Sequence, residues 1–408
     1  MGAQELELYL HIPFCIKKCN YCDFLSMPAE EDVRRHYLGC LKEEIRGKAG
    51  YFRERRVPTV FFGGGTPSIL AGEQMEDLMD AIRKGFSIEP DAEVTIECNP
   101  GTLDEGKLCA YRRAGINRLS LGLQSVRKEE LSLLGRIYDF DQFLENYRLA
   151  RRLGFDNINI DLMSALPGQH VQDWEDTLQR VLALEPEHIS AYSLIIEEGT
   201  PFYETYQEDE RRRERGKEPY ILPGEEEERR MYCLTEQLLG EKGYLRYEIS
   251  NYAKPGRECR HNIGYWRRTP YLGLGLGSAS LVGDVRFSNT RDLQEYQRIY
   301  QNSTVFKDAV LSAGFEAGCA KALGCQANVL GKQEQMEEFM FLGLRMMEGV
   351  SKAGFERAFG VRMETVYGAA IQRLEGQRLL KQEGGRVCLT REGISVSNYV
   401  MSLFLLEG

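Results

Sequence analysis

Tyr9-Leu10-His11-Ile12-Pro13-Phe14-Cys15-Ile16-Lys17-Lys18-Cys19-Asn20-Tyr21-Cys22-Asp23-Phe24 lies at the end of the first strand candidate of the chain, Glu5–Ile12, and runs on past it. Its three thiols, spaced C-x3-C-x2-C, can reach a single iron–sulfur cube. No fourth Cys follows, so one iron is left without a protein ligand and open to chemistry. Structural zinc wants a second C-x2-C-like pair or a His at matching distance, and neither is present. A disulfide framework fits no better, because the run is short and crowded and leaves a third thiol over.

The 408 residues suffice for two or three domains, and 42% hydrophobic content is ordinary for a globular protein. A net charge of -10 argues against a phosphate-backbone binder, so nucleic acid is not an expected partner. Met1–Glu7 has no basic region followed by an apolar run, and no segment approaches ~18 consecutive apolar residues, so a cytoplasmic chain is expected. Eleven cysteines in such a chain read as reduced thiols plus metal ligands, those outside the run, such as Cys40 and Cys233, being small core residues.

From residue 5 to about 195, short β-rich runs alternate with helical ones, which predicts βα units around a parallel sheet. The strands are Glu5–Ile12, Pro58–Phe62, Glu93–Cys98, Arg118–Leu123, Asn157–Met163 and His188–Ile195. The helices between them are Asp32–Lys48, Glu73–Lys84, Asp104–Ala114, Asp141–Leu153 and Gln172–Leu184. Polar candidates sit at the strand ends: the cysteines, Gly63-Gly64-Gly65-Thr66-Pro67, Glu97, Gln124, Asp161 and Tyr192. In a parallel barrel all the carboxyl ends share one face, where ligands bind. Taken alone, the Gly63–Pro67 run is also what a tight turn looks like, Glu97 and Asp161 could have structural partners, and Tyr192 could be core.

The cysteine run with Tyr21 before its last Cys resembles the radical S-adenosylmethionine (SAM) proteins. Tyr9–Cys15, Phe62–Ser68, Leu119–Ser125 and Leu166-Pro167-Gly168-Gln169 narrow the resemblance to the HemN/HemW family. The resemblance implies an α/β fold, a partial (β/α)6 barrel with a C-terminal winged-helix-like α+β domain. It implies a [4Fe–4S] cluster on Cys15, Cys19 and Cys22, whose fourth iron is chelated by the amino and carboxylate groups of SAM. It places Gly64, Gly65 and Thr66 at the SAM amino group, Arg136 at its carboxylate, and Gln124 and Asp161 at hydroxyls or the adenosine part. Glu97 joins the same set, and Tyr9 and Tyr21 flank the cofactor. One mismatch stands beside the adenosine site: Ser164-Ala165 replaces the family's aromatic and Gly.

Beyond residue 200, the charge-dense stretch Glu204–Arg230 reads as a solvated loop and the exposed start of a helix that continues to about Leu239; a strand near Tyr244–Ile249 follows. Cys259-Arg260-His261-Asn262-Ile263-Gly264-Tyr265-Trp266 then gathers one of five histidines and one of two tryptophans within six residues. It reads as a capped turn with a core Trp or, by its H-N-x-x-Y-W resemblance to the haem-associated element of the family's chaperone branch, as a haem site with His261 as iron ligand and Cys259 as the alternative. Gly273–Ser278 reads as a tight turn. The helix Met336–Met347, two further helices and the hairpin Leu379–Leu389 read as a winged-helix-like tail without a basic DNA-binding face. The expected domains are 1–237, the barrel; 238–330, an extension with the candidate haem run; and 331–408, the tail.

Phe24 stands where the family's coproporphyrinogen dehydrogenases carry a fourth Cys, the cluster run begins without their long N-terminal extension, and the His–Trp run is present. The expectation is a chaperone that binds haem and a SAM-ligated cluster and hands haem to acceptor haemoproteins such as membrane-associated respiratory enzymes. A peripheral membrane location and a homodimer stay open. The alternative is a radical SAM enzyme that oxidatively decarboxylates a porphyrinogen propionate.

Overall fold

β1 (Glu7–Ile12), β2 (Arg56–Gly64), β3 (Ser87–Cys98), β4 (Arg118–Gln124), β5 (Ile158–Ser164) and β6 (His188–Ser193) lie side by side in chain order, all parallel, in a computed structural model that describes residues 5–301 and 327–406. The crossovers are α1 (Glu31–Ala49), α2 (Gly72–Gly85), α3 (Glu105–Arg113), α4 (Lys128–Leu133) with α5 (Phe140–Arg152), and α6 (Val171–Leu182). Local signals fix several starts: Asp104 and Asp139 accept from backbone N–H groups in the first turns of α3 and α5.

Every second residue of the strands is apolar and packs against this helical layer: Leu8 and Leu10, Val60 and Phe62, Val94 and Ile96, Leu119 and Leu121, Ile158 and Ile160 share one core. The alternate positions point the other way and build a polar interior that includes Glu7, Thr59, Glu93, Arg118, Asn159 and His188, all buried. Burial of such groups requires partners, and the site described below supplies them.

β1 and β6 do not pair with each other. The sheet instead runs on at both edges, so the barrel is open as expected. Beyond β6, α7 (Pro201–Glu214) and α8 (Glu225–Glu241) precede β7 (Leu245–Arg246) and β8 (Asn251–Ala253), and β8 is antiparallel to β6. After α9 (Arg260–Trp266), β9 (Tyr271–Leu274) adds a seventh parallel strand beside β1. β10 (Ala279–Val282), β11 (Val285–Ser288) and, past α10 (Leu293–Gln301), β12 (Asn328–Val329) bring the sheet to twelve strands among the described residues.

Three expectations are corrected. The Glu204–Arg230 stretch is largely helical, because Thr200 caps α7 by accepting from the Tyr203 N–H and Pro201 occupies its first turn. The strand expected over Tyr244–Ile249 shrinks to two residues, since β8 takes the edge of β6. Gly273 is not in a turn but in β9, where a Cβ would collide with the Ala279 carbonyl; the turn begins at Gly275, with φ of 95°.

The tail carries helices Lys332–Gly343, Lys352–Phe359 and Met363–Gly376 and a three-stranded sheet, Val350–Ser351, Arg386–Leu389 and Leu380–Glu383, around its own core of Phe355, Phe359, Tyr367 and Val387. Glu338 ties it to the barrel sheet through Arg268 at 3.0 Å and Arg286 at 2.9 Å. Residues 1–4 of the N-terminal run, 302–326 of the segment 238–330 and 407–408 lie outside the described residues. Among the described residues no helix is long and apolar enough to cross a membrane.

Candidate functional site

The loop after β1 is held from both sides. Cys15 N–H donates to Met27 O at 3.0 Å, Asn20 donates through N–H and Nδ2 to the carbonyls of Leu134 and Leu133, and His11 Nε2 donates to Leu25 O at 2.8 Å. Because Nε2 faces a carbonyl it carries the proton, so Nδ1 accepts from the Tyr9 hydroxyl at 3.1 Å. The loop thereby turns Cys15, Cys19 and Cys22 into one cavity of about 300 Å³ at the carboxyl ends of the strands.

The loop after β2 closes against it. Gly65 N–H and Thr66 N–H donate to the carbonyls of Ile12 and Phe14, and the Thr66 hydroxyl lies 3.4 Å from Cys15 Sγ. A Cβ on Gly65 would sit 2.8 Å from Phe14 O and 3.0 Å from Cys15 Sγ, and Gly64 has φ of 117°, so both positions demand glycine. The Gly64 N–H donates to Glu97 Oε2 at 3.1 Å.

Glu97, Gln124, Arg136, Asp161 and Tyr192 line the cavity with Tyr21. Burial, with the Asp161 carboxylate as second cause, pushes the Glu97 carboxyl up to about 8, so it is neutral at pH 7 until a cation meets it. Burial also raises Asp161, opposed by bonds from Asn159 Nδ2 at 2.8 Å and Ser120 Oγ at 3.1 Å. Gln124 has φ of 72° at the register shift between β4 and β5, an unusual conformation for a residue with a Cβ, and its Oε1 accepts from Tyr192 at 3.1 Å. Arg136 donates to the Tyr21 hydroxyl at 2.6 Å, while its buried Nε has no partner, leaving a cation that a ligand carboxylate would complete.

The donor set fits a cluster better than a single ion. No three His, Cys, Asp or Glu side chains among the described residues converge as one metal ion requires, yet three thiols open into the same space. A cube that takes one thiolate per iron accepts that spread. Burial raises the Cys15 and Cys22 thiols, and iron would compete with those protons.

Two sequence-predicted residues lie elsewhere. Tyr9 does not line the cavity: its hydroxyl is engaged by His11 and its ring stacks on Phe61, with centroids 6.2 Å apart. His261 lies among the interior groups around Glu7, Thr59 and Glu93 and is 1% exposed. Its Nδ1 meets Thr59 Oγ1 at 2.7 Å, its Nε2 meets the Tyr265 hydroxyl at 3.2 Å, and its ring stacks on Phe61 at 5.0 Å. Burial, reinforced by Arg118, lowers it to about 3, so it is neutral. With both nitrogens engaged, it offers a haem iron no ligand in this conformation. Cys259, fully buried beside Glu93 and pushed up to about 12 by burial, offers none either. The run is a plug: Glu93 accepts from the N–H groups of Arg260 and His261, and Gly264 lacks a side chain because the Glu7 carboxyl occupies that space.

Sequence reasoning missed Ser120, which lines the cavity beside Asp161, and Cys98, a further thiol in its wall. The inward phase of their strands, shared with Glu97 for β3 and Arg118 for β4, was the signal available for Ser120; Cys98 falls on the opposite phase and reaches the cavity only because β3 ends there.

Comparison with known proteins agrees. Residues 9–181 match the Radical SAM superfamily and residues 330–396 the HemN C-terminal domain. Heme chaperone HemW of Bacillus subtilis is 34% identical over 400 residues, 98% of this chain and 99% of that one. Heme chaperone HemW of Escherichia coli is 34% identical over 403 residues, covering 98% of each. The solved structure of coproporphyrinogen III oxidase (HemN) from Escherichia coli shares the fold over 99% of this chain and 91% of that one, with a TM-score of 0.80 at 24% identity. The chain belongs to the HemW family of radical SAM proteins.

Proposed function

We propose that the protein is a haem chaperone that carries a SAM-ligated [4Fe–4S] cluster and passes haem to acceptor haemoproteins. The observation that carries the cofactor reading is that Cys15, Cys19 and Cys22 share one cavity with Gly64, Gly65, Thr66, Glu97, Gln124, Arg136 and Asp161. The haem reading is supported by full-length likeness to proteins named heme chaperones.

In this reading the three thiolates hold the cluster, which when bound supplies an electron and an open iron for SAM. The unpartnered side of Arg136 takes the SAM carboxylate. Gly64, Gly65 and Thr66 bring the backbone close to its amino group, and Glu97 gives up its proton to face that cation. Gln124 and Asp161 hold the hydroxyl-bearing part, with Tyr21 covering the ligand beside Arg136. Phe24, 63% exposed, provides no fourth thiolate where the dehydrogenase branch has one.

Anaerobically reconstituted protein is expected to bind haem and to transfer it to an apo-haemoprotein, read by the Soret band of the acceptor. Failure to bind haem would remove the chaperone reading. Conversion of coproporphyrinogen to protoporphyrinogen under reducing conditions would replace it with the enzymatic one.

A further inference from the structure

We infer that His188 is a positioning residue for Asp161, acting through Asn159 along a hydrogen-bond chain that crosses the barrel interior. The chain's polarity is determined at each link. Asn159 Nδ2 donates to Asp161 Oδ1 and to Ser120 Oγ, both at 2.8 Å, so its Oδ1 is the acceptor that faces His188 Nδ1 at 2.6 Å. Nδ1 therefore carries the ring proton, and Nε2 accepts from the Tyr247 hydroxyl at 2.9 Å. The Tyr247 oxygen in turn accepts from the Cys259 N–H at 3.3 Å, at the start of α9. Ser190 Oγ, 3.2 Å from Asn159 Oδ1, is the second donor to that acceptor.

Each member is buried: His188 is fully enclosed, and Asn159 and Tyr247 nearly so. No water can replace a lost link without a cavity to hold it, so the orientation of Asp161 depends on the Nδ1–H imidazole tautomer that the Asn159 Oδ1 acceptor fixes and the Tyr247 hydroxyl accommodates. The geometry also joins the cavity to the seat of α9, because one end of the chain is a carboxylate in the ligand wall and the other is the backbone of Cys259. His188 is not among the residues that line the cavity. Its effect on ligand affinity passes through Asp161.

The inference rests on the reading that SAM occupies the cavity, and its test separates the two. SAM affinity is measured on reconstituted protein for the parent, His188→Leu, His188→Asn, Tyr247→Phe and Asp161→Asn, and for His188→Leu combined with Asp161→Asn. His188→Leu is expected to raise the SAM Kd about ten-fold, the effect of a lost buried bond in a charge-linked chain. His188→Asn, which keeps a donor near the Nδ1 position, recovers part of that loss, and Tyr247→Phe shows a smaller rise. In the Asp161→Asn background His188→Leu adds nothing further, a non-additivity that a general packing defect would not produce. Equal weakening by His188→Leu in both backgrounds, or none in the parent, overturns the inference. Should His188→Leu fail to fold, Tyr247→Phe in the two backgrounds decides by the same criterion. A parent that takes up iron and sulfide but binds no SAM counts against the cofactor reading instead.

Discussion

Serine at any one of Cys15, Cys19 or Cys22 is expected to take the iron and sulfide of anaerobically reconstituted protein from about four of each per chain to near background. The three thiols lie on one loop whose backbone is pinned by Met27, Leu133 and Leu134, so a missing thiolate cannot be replaced by a neighbour moving in. Cys98 provides the internal control. It lines the same cavity but sits in the last position of β3, away from that loop, and Cys98→Ser is expected to retain its iron. Loss of iron in Cys98→Ser together with retention in a loop variant would assign the ligands differently.

The second large effect concerns stability. His261→Ala removes a ring stacked on Phe61 and takes a partner from the buried Thr59 hydroxyl and from the hydroxyl of the half-buried Tyr265. A cavity combined with unpaired buried groups costs about 2–4 kcal/mol of unfolding free energy, readable from the denaturant midpoint. Haem affinity of the folded fraction is expected to stay within about two-fold, because both imidazole nitrogens are already engaged. A large loss of haem affinity with unchanged stability would show that α9 leaves its seat to bind haem. Acid provides a second readout. His261 titrates at about 3 in the fold, below its ordinary value, so its contribution is present above about 6.5 and is lost as pH falls toward 3. His261→Gln flattens that part of the pH–stability curve.

The parallel strands were legible because their outward residues form apolar alternations closed by glycine or polar turns, as in Leu119–Leu123 before Gln124. The cavity was legible because its residues sit at the strand ends of a barrel, where topology gathers them. Phase along a strand was harder to read. Tyr9 belongs to the inward set but lies lower in the barrel than the cavity, and its hydroxyl is spent on His11. His261 carried a haem-like motif, yet Glu93 and Thr59, distant in sequence, claim its backbone and its ring. The partners that decide its role come from β2 and β3, which no local pattern around residue 261 reveals. α7 was hidden by its charge density, although Thr200-Pro201 marked its start. β9 was hidden by its glycine, Gly273, which is required because the Ala279 carbonyl leaves no room for a Cβ.

The most direct test of the central claim is the EPR spectrum of reconstituted, dithionite-reduced protein recorded before and after addition of SAM. A [4Fe–4S] signal that changes shape when SAM is added is the predicted result, since the ligand binds the one iron that Cys15, Cys19 and Cys22 leave open. A reduced cluster signal that SAM leaves untouched, or protein that holds zinc and no iron, would contradict it.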